Sequence, residues 1–441
     1  MRWYVGAAVL LLIALVFKLA LLAYAMYALI AVLVVSRVLA RVWSSSVVAT
    51  RECNRLSANV GDIVAVVVTV QNTGRVPIAW LLLEDQLPRH ALLYDPPNLR
   101  VKGKRIQLSM LKGHGVATLF YQLQCTRRGY YQIGPLVMET GDLFGLHRRY
   151  RIATQPHFLL VYPEIVPLVG YDIASRRPLG EVHMAHRLYE DPTRIAGIRR
   201  YEPGDPMNRI HWRATARTGQ LQSKIYEPSS VAGATILLEF HQAAHDERHE
   251  PYRSELAVTT AASIANALYQ TGQQVGLVSN GRDAADRIRR EGWDFDPRSR
   301  QAARRAAQMI DRSDRLQPLV VATRRGPEQL MRILETLARV ELTDGLGLGE
   351  LIEETFSQLP RDASIIAILP SVSDAAAIAL GNLRRKGYAV SVILNLFEEY
   401  DFAQASGPLM AEGIETMHLK SEERISTICA SAALFRGALA R

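Results

Sequence analysis

Ser364-Ile365-Ile366-Ala367-Ile368-Leu369, then Ser373 to Lys386, then Ala389 to Leu394 decide how the C-terminal half of this chain folds. The first run is short, apolar and rich in β-branched residues, so it reads as a buried strand. The second has the length and pattern of a helix, with Gly387 as its stop. The third is again strand-like. Strand, helix and strand in that order predict neighbouring parallel strands in a sheet covered by helices.

The same alternation extends outward over residues 231–441. Thr235 to Phe240 reads as a buried strand, and Tyr252 to Gln270 as a helix stopped by Gly272. Gln274 to Val278 reads as a strand closed by Asn280-Gly281, and Glu328 to Val340 and Leu348 to Gln358 as amphipathic helices. An α/β domain is therefore expected here, with any ligand at the carboxyl ends of its strands.

Residues 47–165 have a different rhythm. Ile63 to Val70 is dense in β-branched residues, and Ile78 to Leu83 is the next such run. Ala117 to Cys125 and Tyr130 to Met138 flank Arg127-Arg128-Gly129, which reads as a hairpin turn. Strands at this spacing predict an all-β sandwich or small barrel.

The N-terminus is apolar over residues 1–43. Val5 to Phe17 and Leu19 to Val35 carry no charge, and Lys18 alone separates them. One helix from Arg2 to Ser36 would be about 50 Å long, well beyond a ~30 Å hydrocarbon core. Two passes, about 3–18 and 19–37, fit better than one long tilted pass. Arg2 at one end and Arg37, Arg41, Arg51 and Arg55 at the other place both ends inside by the positive-inside rule. The reading is a multi-pass protein of the inner membrane with its soluble domains in the cytoplasm. A cleaved signal peptide, with Ala23-Tyr24-Ala25 as the site, would leave a mature end that starts in another apolar run.

Between the two soluble regions, residues 166–230 form a connector dense in arginine. Its centre is Gly197 to Arg217, where Pro203-Gly204-Asp205-Pro206 is a turn by composition. Arg199, Arg200, Arg209, Arg213 and Arg217 surround that turn. Arg209, Arg213 and Arg217 recur every fourth residue, so a helix would align them, with Ile210 and Trp212 pointing inward. Leu221 to Glu227 alternates like a half-buried strand. Two readings stand: an arginine–carboxylate lattice using Glu202 and Asp205, or a docking surface for an acidic partner.

The block resembles the signature of the domain-of-unknown-function-58 family. The matching residues are Arg199, Tyr201, Pro203, Gly204, Asp205, Arg209, Ile210, Trp212, Ala216, Arg217, Lys224, Tyr226 and Glu227. His211 stands where that pattern has Asp. Upstream, Arg128-Gly129-Tyr130-Tyr131, Gly134-Pro135, Gly141 to Leu146 and Val161-Tyr162-Pro163 follow the same family order. The resemblance implies a transmembrane hairpin, an immunoglobulin-like domain and a Rossmann-type domain like that of von Willebrand factor A. It also implies a non-enzymatic scaffold that works with a MoxR-type AAA+ ATPase. The partner-binding candidates are Arg199, Arg200, Tyr201, Asp205, Arg209, Trp212, Arg213, Arg217 and Lys224.

Many A-type domains hold a divalent metal on an Asp-x-Ser-x-Ser loop. Here the corresponding loop places Glu239, His241 and Ala243 at those positions, so both serines are replaced. No metal and no cofactor are expected. His241, His245 and His249 recur every fourth residue, but the interleaved acids read as a solvated loop, and no His-Glu-x-x-His is present. The Gly345-Leu346-Gly347-Leu348-Gly349 run lacks the Lys-Ser/Thr of a phosphate loop and reads as the entry to a helix.

Composition sets wider limits. The chain has 441 residues, 49% of them hydrophobic, enough for two or three domains. Its net charge of +9 favours acidic partners or anionic lipid. The arginines accompany no nucleic-acid motif, so no nucleic acid is expected. Cys53, Cys125 and Cys429 are far apart and form no disulfide framework. The rival functions are a metal-dependent binding module and a hydrolase acting on envelope material.

Overall fold

The structure is a computed structural model. It describes residues 2–428 except 89–90, 93–95, 144, 146, 169–189, 203–206, 208–209, 229–232, 292–315 and 361–362. Asp205, Arg209 and Cys429 lie outside the described residues. The chain divides into two compact units. The first comprises Met1–Glu164, Arg282–Asp314 and Leu334–Glu341, and the second Ile165–Gly281, Arg315–Ile333 and Leu342–Arg441.

The first unit begins with helices α1 (Arg2–Val16) and α2 (Ala20–Ser45). Lys18 between them has φ 52, a left-handed residue that interrupts the helical path. Among the described residues α2 is the one helix long and apolar enough to cross a membrane, and the apolar stretch Gly6–Val16 of α1 is shorter. Its last turns are not free: Ser36, Ala40 and Trp43 are buried.

Eleven strands follow: β1 (Val47–Cys53), β2 (Ser57–Asn59), β3 (Ile63–Asn72), β4 (Ile78–Asp85), β5 (Leu99–Gly103), β6 (Ile106–Leu111), β7 (Val116–Cys125), β8 (Gly129–Ile133), β9 (Leu136–Gly141), β10 (Arg148–Thr154) and β11 (His157–Tyr162). They form sheets in the orders β1-β3-β7-β5, β10-β9-β4-β6 and β2-β11-β8. In β3 every second residue, Val64, Val66, Val68 and Val70, is fully buried while its neighbours are not. That period of two is what one inward face requires. Leu81 and Leu83 of β4 and Met138 of β9 join the same core, so the two four-stranded sheets share it. Each buried valine or leucine contributes about 1.5–3 kcal/mol.

The expected hairpin at Arg127-Arg128-Gly129 does not form. β7 pairs with β3 and β5, whereas β8 pairs with β11, so the turn carries the chain from one sheet to another. The Tyr131 hydroxyl pins the turn by donating to the carbonyls of Arg127 and Arg128. Two alternating runs around a glycine look the same in sequence whether they pair with each other or with third strands.

Arg51, counted above among membrane-flanking charges, is a core residue. Its Nε donates to Asp85 Oδ2 at 3.0 Å, its Nη2 pairs with Asp85 Oδ1, and the Tyr121 hydroxyl donates to Asp85 at 2.6 Å. Arg55 pairs with Asp62. The arginines that flank the apolar helix on this side are thus Arg37 and Arg41.

The second unit contains β12 (Glu190–Arg200), helix α3 (Trp212–Thr218) and β13 (Gln222–Pro228), described below. Next come β14 (Gly233–Leu238), α4 (Tyr252–Gln270) and β15 (Gln274–Ser279). In the chain, β16 (Leu319–Arg324) lies between helix α5 (Ala284–Glu291), which belongs to the first unit, and helix α6 (Pro327–Arg339), whose residues from Leu334 on do so as well. The chain continues through α7 (Leu348–Thr355), β17 (Ser364–Leu369), α8 (Asp374–Arg385), β18 (Val390–Leu394), α9 (Glu399–Ala411) and β19 (Glu415–His418). The sheet order is β16-β15-β14-β17-β18-β19. Every pairing is parallel except that of edge strand β16 with β15. All six residues of β14 and of β17 are buried, as expected of strands covered on both faces.

Local chemistry sets the helix limits. The Ser373 hydroxyl accepts from Ala376 N to cap α8, and Glu350 accepts from Gly347 N at the start of α7, as the glycine run suggested.

Candidate functional site

The arginine-rich block is a two-stranded ribbon with a short helix folded onto one end. β12 and β13 are antiparallel, with Ile198 opposite Lys224, Arg199 opposite Ser223 and Arg200 opposite Gln222. Opposed residues share a face, and neighbours alternate. Ile198, Arg200, Gln222 and Lys224 therefore lie on one face and Arg199 and Ser223 on the other. The Arg199 guanidinium lies 3.6 Å from Glu202, and Tyr201 N donates to Leu221 O. A bridge between Ile210 and Ser223 seats Ile210, which is 4% exposed.

Helix α3 is held at both ends. His211 Nδ1 accepts from Ala214 N at 3.0 Å, and Gly219 closes the helix with φ 66. The Thr215 hydroxyl accepts from Gln222 N and ties the helix to β13. This overturns two expectations. The helix starts at Trp212, so Arg213 and Arg217 share it but Arg209 precedes its cap. Trp212 does not point inward: it is 67% exposed. A seven-residue helix folded onto a two-stranded ribbon has no core to take an indole. Trp212, Arg213, Ala216 and Arg217 make one exposed face. Met207 and Leu221 add exposed apolar surface nearby.

The second candidate region is the carboxyl end of β14. Glu239 is 7% exposed, and burial raises its carboxyl to about 7, against a smaller opposing effect of His245. His241 caps a 3-10 turn by accepting from Ala243 N, and it bridges to Thr343. Thr343 is buried, and its hydroxyl has no partner. Asn280 Oδ1 accepts from Phe240 N at 2.6 Å while its amide donates to Leu346 O. The loop is thus built from three stretches distant in sequence.

The three histidines do not share a helix. His241 is a cap, and His249 is half exposed and stacks on Phe397. His245 is not on a solvated loop: its side chain is 1% exposed. Its Nδ1 lies 2.8 Å from Glu250 Oε1, and its Nε2 lies 3.3 Å from the Glu239 carbonyl. Burial pushes the Glu250 carboxyl up, but hydrogen bonds from His245 and Ser254 outweigh it and hold the group below its ordinary value. Behind this loop, Arg253 donates to Asn395 Oδ1 and to the carbonyls of Leu419 and Lys420, linking α4 to β18 and β19. Nothing in the local sequence marks Thr343, Asn280 or Arg253. Among the described residues no group of three or more His, Cys, Asp or Glu is placed to hold a metal ion.

A family model described as "Protein of unknown function DUF58" matches residues 197–293, which cover the end of β12, α3, β13 and the Glu239 loop. The chain is 25% identical over 237 residues to the uncharacterized protein YeaD of Bacillus subtilis (strain 168), a match of 53% of this chain and 56% of the relative. The chain thus spans about half the length of the curated relative it matches. Among solved structures, the ASH/PapD-like domain of human CEP192 is 15% identical and covers 25% of this chain and 82% of that one, at TM-score 0.17. The CARDB domain of PF1109 from Pyrococcus furiosus is 10% identical over 26% of this chain and 91% of that one, at TM-score 0.18. Proximal thread matrix protein 1 from the mussel byssus is 11% identical over 46% of this chain and 47% of that one, at TM-score 0.28. Similarity at this level identifies the fold of neither unit.

Proposed function

We propose that this protein is a membrane-anchored, non-enzymatic adaptor that recruits a partner protein through the exposed face of α3 and the adjoining ribbon. The observation that carries the reading is the side-by-side exposure of Trp212, Arg213 and Arg217 on a helix braced at both ends. Tryptophan and arginine are the residue types that dominate interface energetics, and a preset helix loses little entropy on binding. Arg200 and Lys224, on one face of the ribbon, add positive charge for an acidic partner. The family resemblance supports a MoxR-type AAA+ ATPase as that partner. In this reading the N-terminal helices form a two-pass hairpin with both ends in the cytoplasm. The first unit is an immunoglobulin-like spacer, and the second is an A-type domain that has lost its metal ligands.

The test is site-specific photo-crosslinking. A benzophenone amino acid at Trp212 should crosslink the ATPase, and one at Tyr400, an exposed position on α9, should not. Crosslinking at Tyr400 alone, or at neither position in a mixture that binds, would overturn the reading.

One observation favours a second reading, a strand-end site of the metal-binding or hydrolytic class. Glu239, raised to about 7, could exchange a proton at neutral pH beside the buried Thr343 hydroxyl. Under that reading Glu239→Gln and His241→Ala abolish an activity or a metal-binding signal. Under the adaptor reading both variants bind the ATPase as the parent does.

A further inference from the structure

We infer that one end of the β-rich unit is itself a membrane-contacting surface, seated on anionic lipid headgroups beside α2. The inference rests on the membrane-anchored reading above and adds a second, peripheral contact to it.

Strand register brings the relevant loops together. Ile78 pairs with Leu111 and Gly141 with Arg148, so the β3–β4 connection, the β6–β7 turn and the β9–β10 loop lie at one end of their sheet. In the facing sheet Val47 pairs with Asn72 and Gln71 with Val116, so the starts of β1 and β7 lie there too. Hydrogen bonds join the two sheets at this end. The Asn72 amide donates to the carbonyls of Val76 and Lys112, and His114 N donates to Gly74 O.

Helix α2 arrives at this same end. The Ser46 carbonyl, at its C-cap, accepts from the backbone N–H and the hydroxyl of Thr73. Ser36 lies 3.3 Å from His147 in the β9–β10 loop, and Trp43 enters the core shared by the sheets. The C-terminal turns of α2 thus cover the end of the domain with Ser36, Ala40 and Trp43. Their opposite face presents Arg37, Val38, Arg41 and Val42, all exposed. An apolar face that also carries arginines suits the boundary between acyl chains and anionic headgroups.

The loops around the helix repeat that chemistry. Val48, Val76, Met110, Val116 and Leu143 are each more than two-fifths exposed, and Met110 reaches 79%. Arg75 and Lys112 are exposed among them. Among the described residues 46–48, 71–77, 110–116 and 141–148, the single acid is Asp142, which is 1% exposed and accepts from His147 N. A water-facing rim would not carry exposed apolar side chains on five loops and strand ends together with the exposed charges of Arg75 and Lys112 and no exposed acid in those segments. A bilayer surface receives both: apolar tips enter the interface and basic groups meet lipid phosphates.

The test uses the full chain in vesicles of mixed phosphatidylcholine and phosphatidylglycerol. An environment-sensitive fluorescent amino acid is placed singly at Met110, at Leu143, at Leu56 on the opposite end, or at Tyr27 within α2. Lipids carrying a headgroup-level nitroxide should quench the probes at 110 and 143 at least about threefold more than at 56, as side chains inserted ~5–10 Å into the interface require. Arg75→Glu with Lys112→Glu should reduce that quenching in the mixed vesicles. Quenching at 27 by lipids carrying a mid-acyl nitroxide, without headgroup-level quenching at 110 or 143, would overturn the inference and leave the anchor intact. Absence of mid-acyl quenching at 27 would remove the anchor and the inference with it. A blue-shifted signal at 110 and 143 that persists without vesicles and grows with protein concentration would assign the patch to a second copy and overturn the lipid assignment.

Discussion

Ser36 Oγ in α2 lies 3.3 Å from His147 Nδ1 in the β9–β10 loop, a contact that spans 111 positions of sequence and joins the apolar helix to the β-rich unit. Ser36, Ala40 and Trp43 follow the three-and-four spacing of one helical face, and all are buried. The helix that could cross a membrane is therefore also a structural element of the domain that follows it.

Trp43 should carry much of that attachment. It is 3% exposed, and its indole N–H has no hydrogen-bond partner. Trp43→Ala should cost about 3–5 kcal/mol through the cavity it leaves. Trp43→Phe should cost far less, because it removes a buried donor that makes no bond. Thermal unfolding of the two variants in detergent checks the ordering. Equal losses would mean that the ring is not packed as described.

The Arg51–Asp85 pair should behave as a buried ion pair does. Its side chains are 1% and 0% exposed. Arg51→Met alone should destabilise the β-rich unit by about 3–5 kcal/mol, because Asp85 is left charged and buried. Arg51→Met combined with Asp85→Leu should recover part of that loss. Tyr121→Phe should cost about 1–3 kcal/mol by removing a bond to a charged acceptor. Urea unfolding of the set decides the matter, and a double variant worse than Arg51→Met alone would contradict the assignment.

Glu239 should impose a pH dependence of known sign. Its carboxyl is raised from an ordinary value near 4.5 to about 7 in the fold. Below 4.5 it is protonated in folded and unfolded chains alike and contributes nothing. Between 4.5 and 7 the unfolded chain releases the proton and the folded chain retains it, so stability falls as pH rises. Above 7 the penalty is complete, on the order of 3 kcal/mol. Glu239→Gln should abolish this component, giving a variant more stable than the parent at pH 8 and closer to it at pH 4.5. Parallel stability curves for the two proteins across that window would refute the buried-acid description.

Much of the α/β unit was legible because its signals are local. The helix predicted at Tyr252 to Gln270 and the strand at Ser364 to Leu369 form with those limits, and Ser373 and Lys386 flank α8 as its caps. Apolar period and capping chemistry act within a few residues, so sequence carries them. Strand partners do not act locally, which is why the Arg127–Gly129 turn read as a hairpin. Burial of polar residues is equally nonlocal. His245 looked solvated among acids, but Glu250 and the Glu239 carbonyl meet its two nitrogens in the interior. Trp212 failed in the other direction, since a large apolar residue predicts burial only where there is a core to receive it. Thr343 reaches the Glu239 loop across a hundred residues, and nothing in its own neighbourhood announces that.

The central claim is that the exposed face of α3 recruits a partner. The most direct measurement is the affinity of the full chain, in lipid nanodiscs, for a purified MoxR-type ATPase, with and without Arg213→Glu and Arg217→Glu. Both positions are exposed on α3, so the double variant should unfold within about 0.5 kcal/mol of the parent. The account predicts binding at least about tenfold weaker, with the difference shrinking as salt rises. Unchanged affinity in a folded double variant would contradict it.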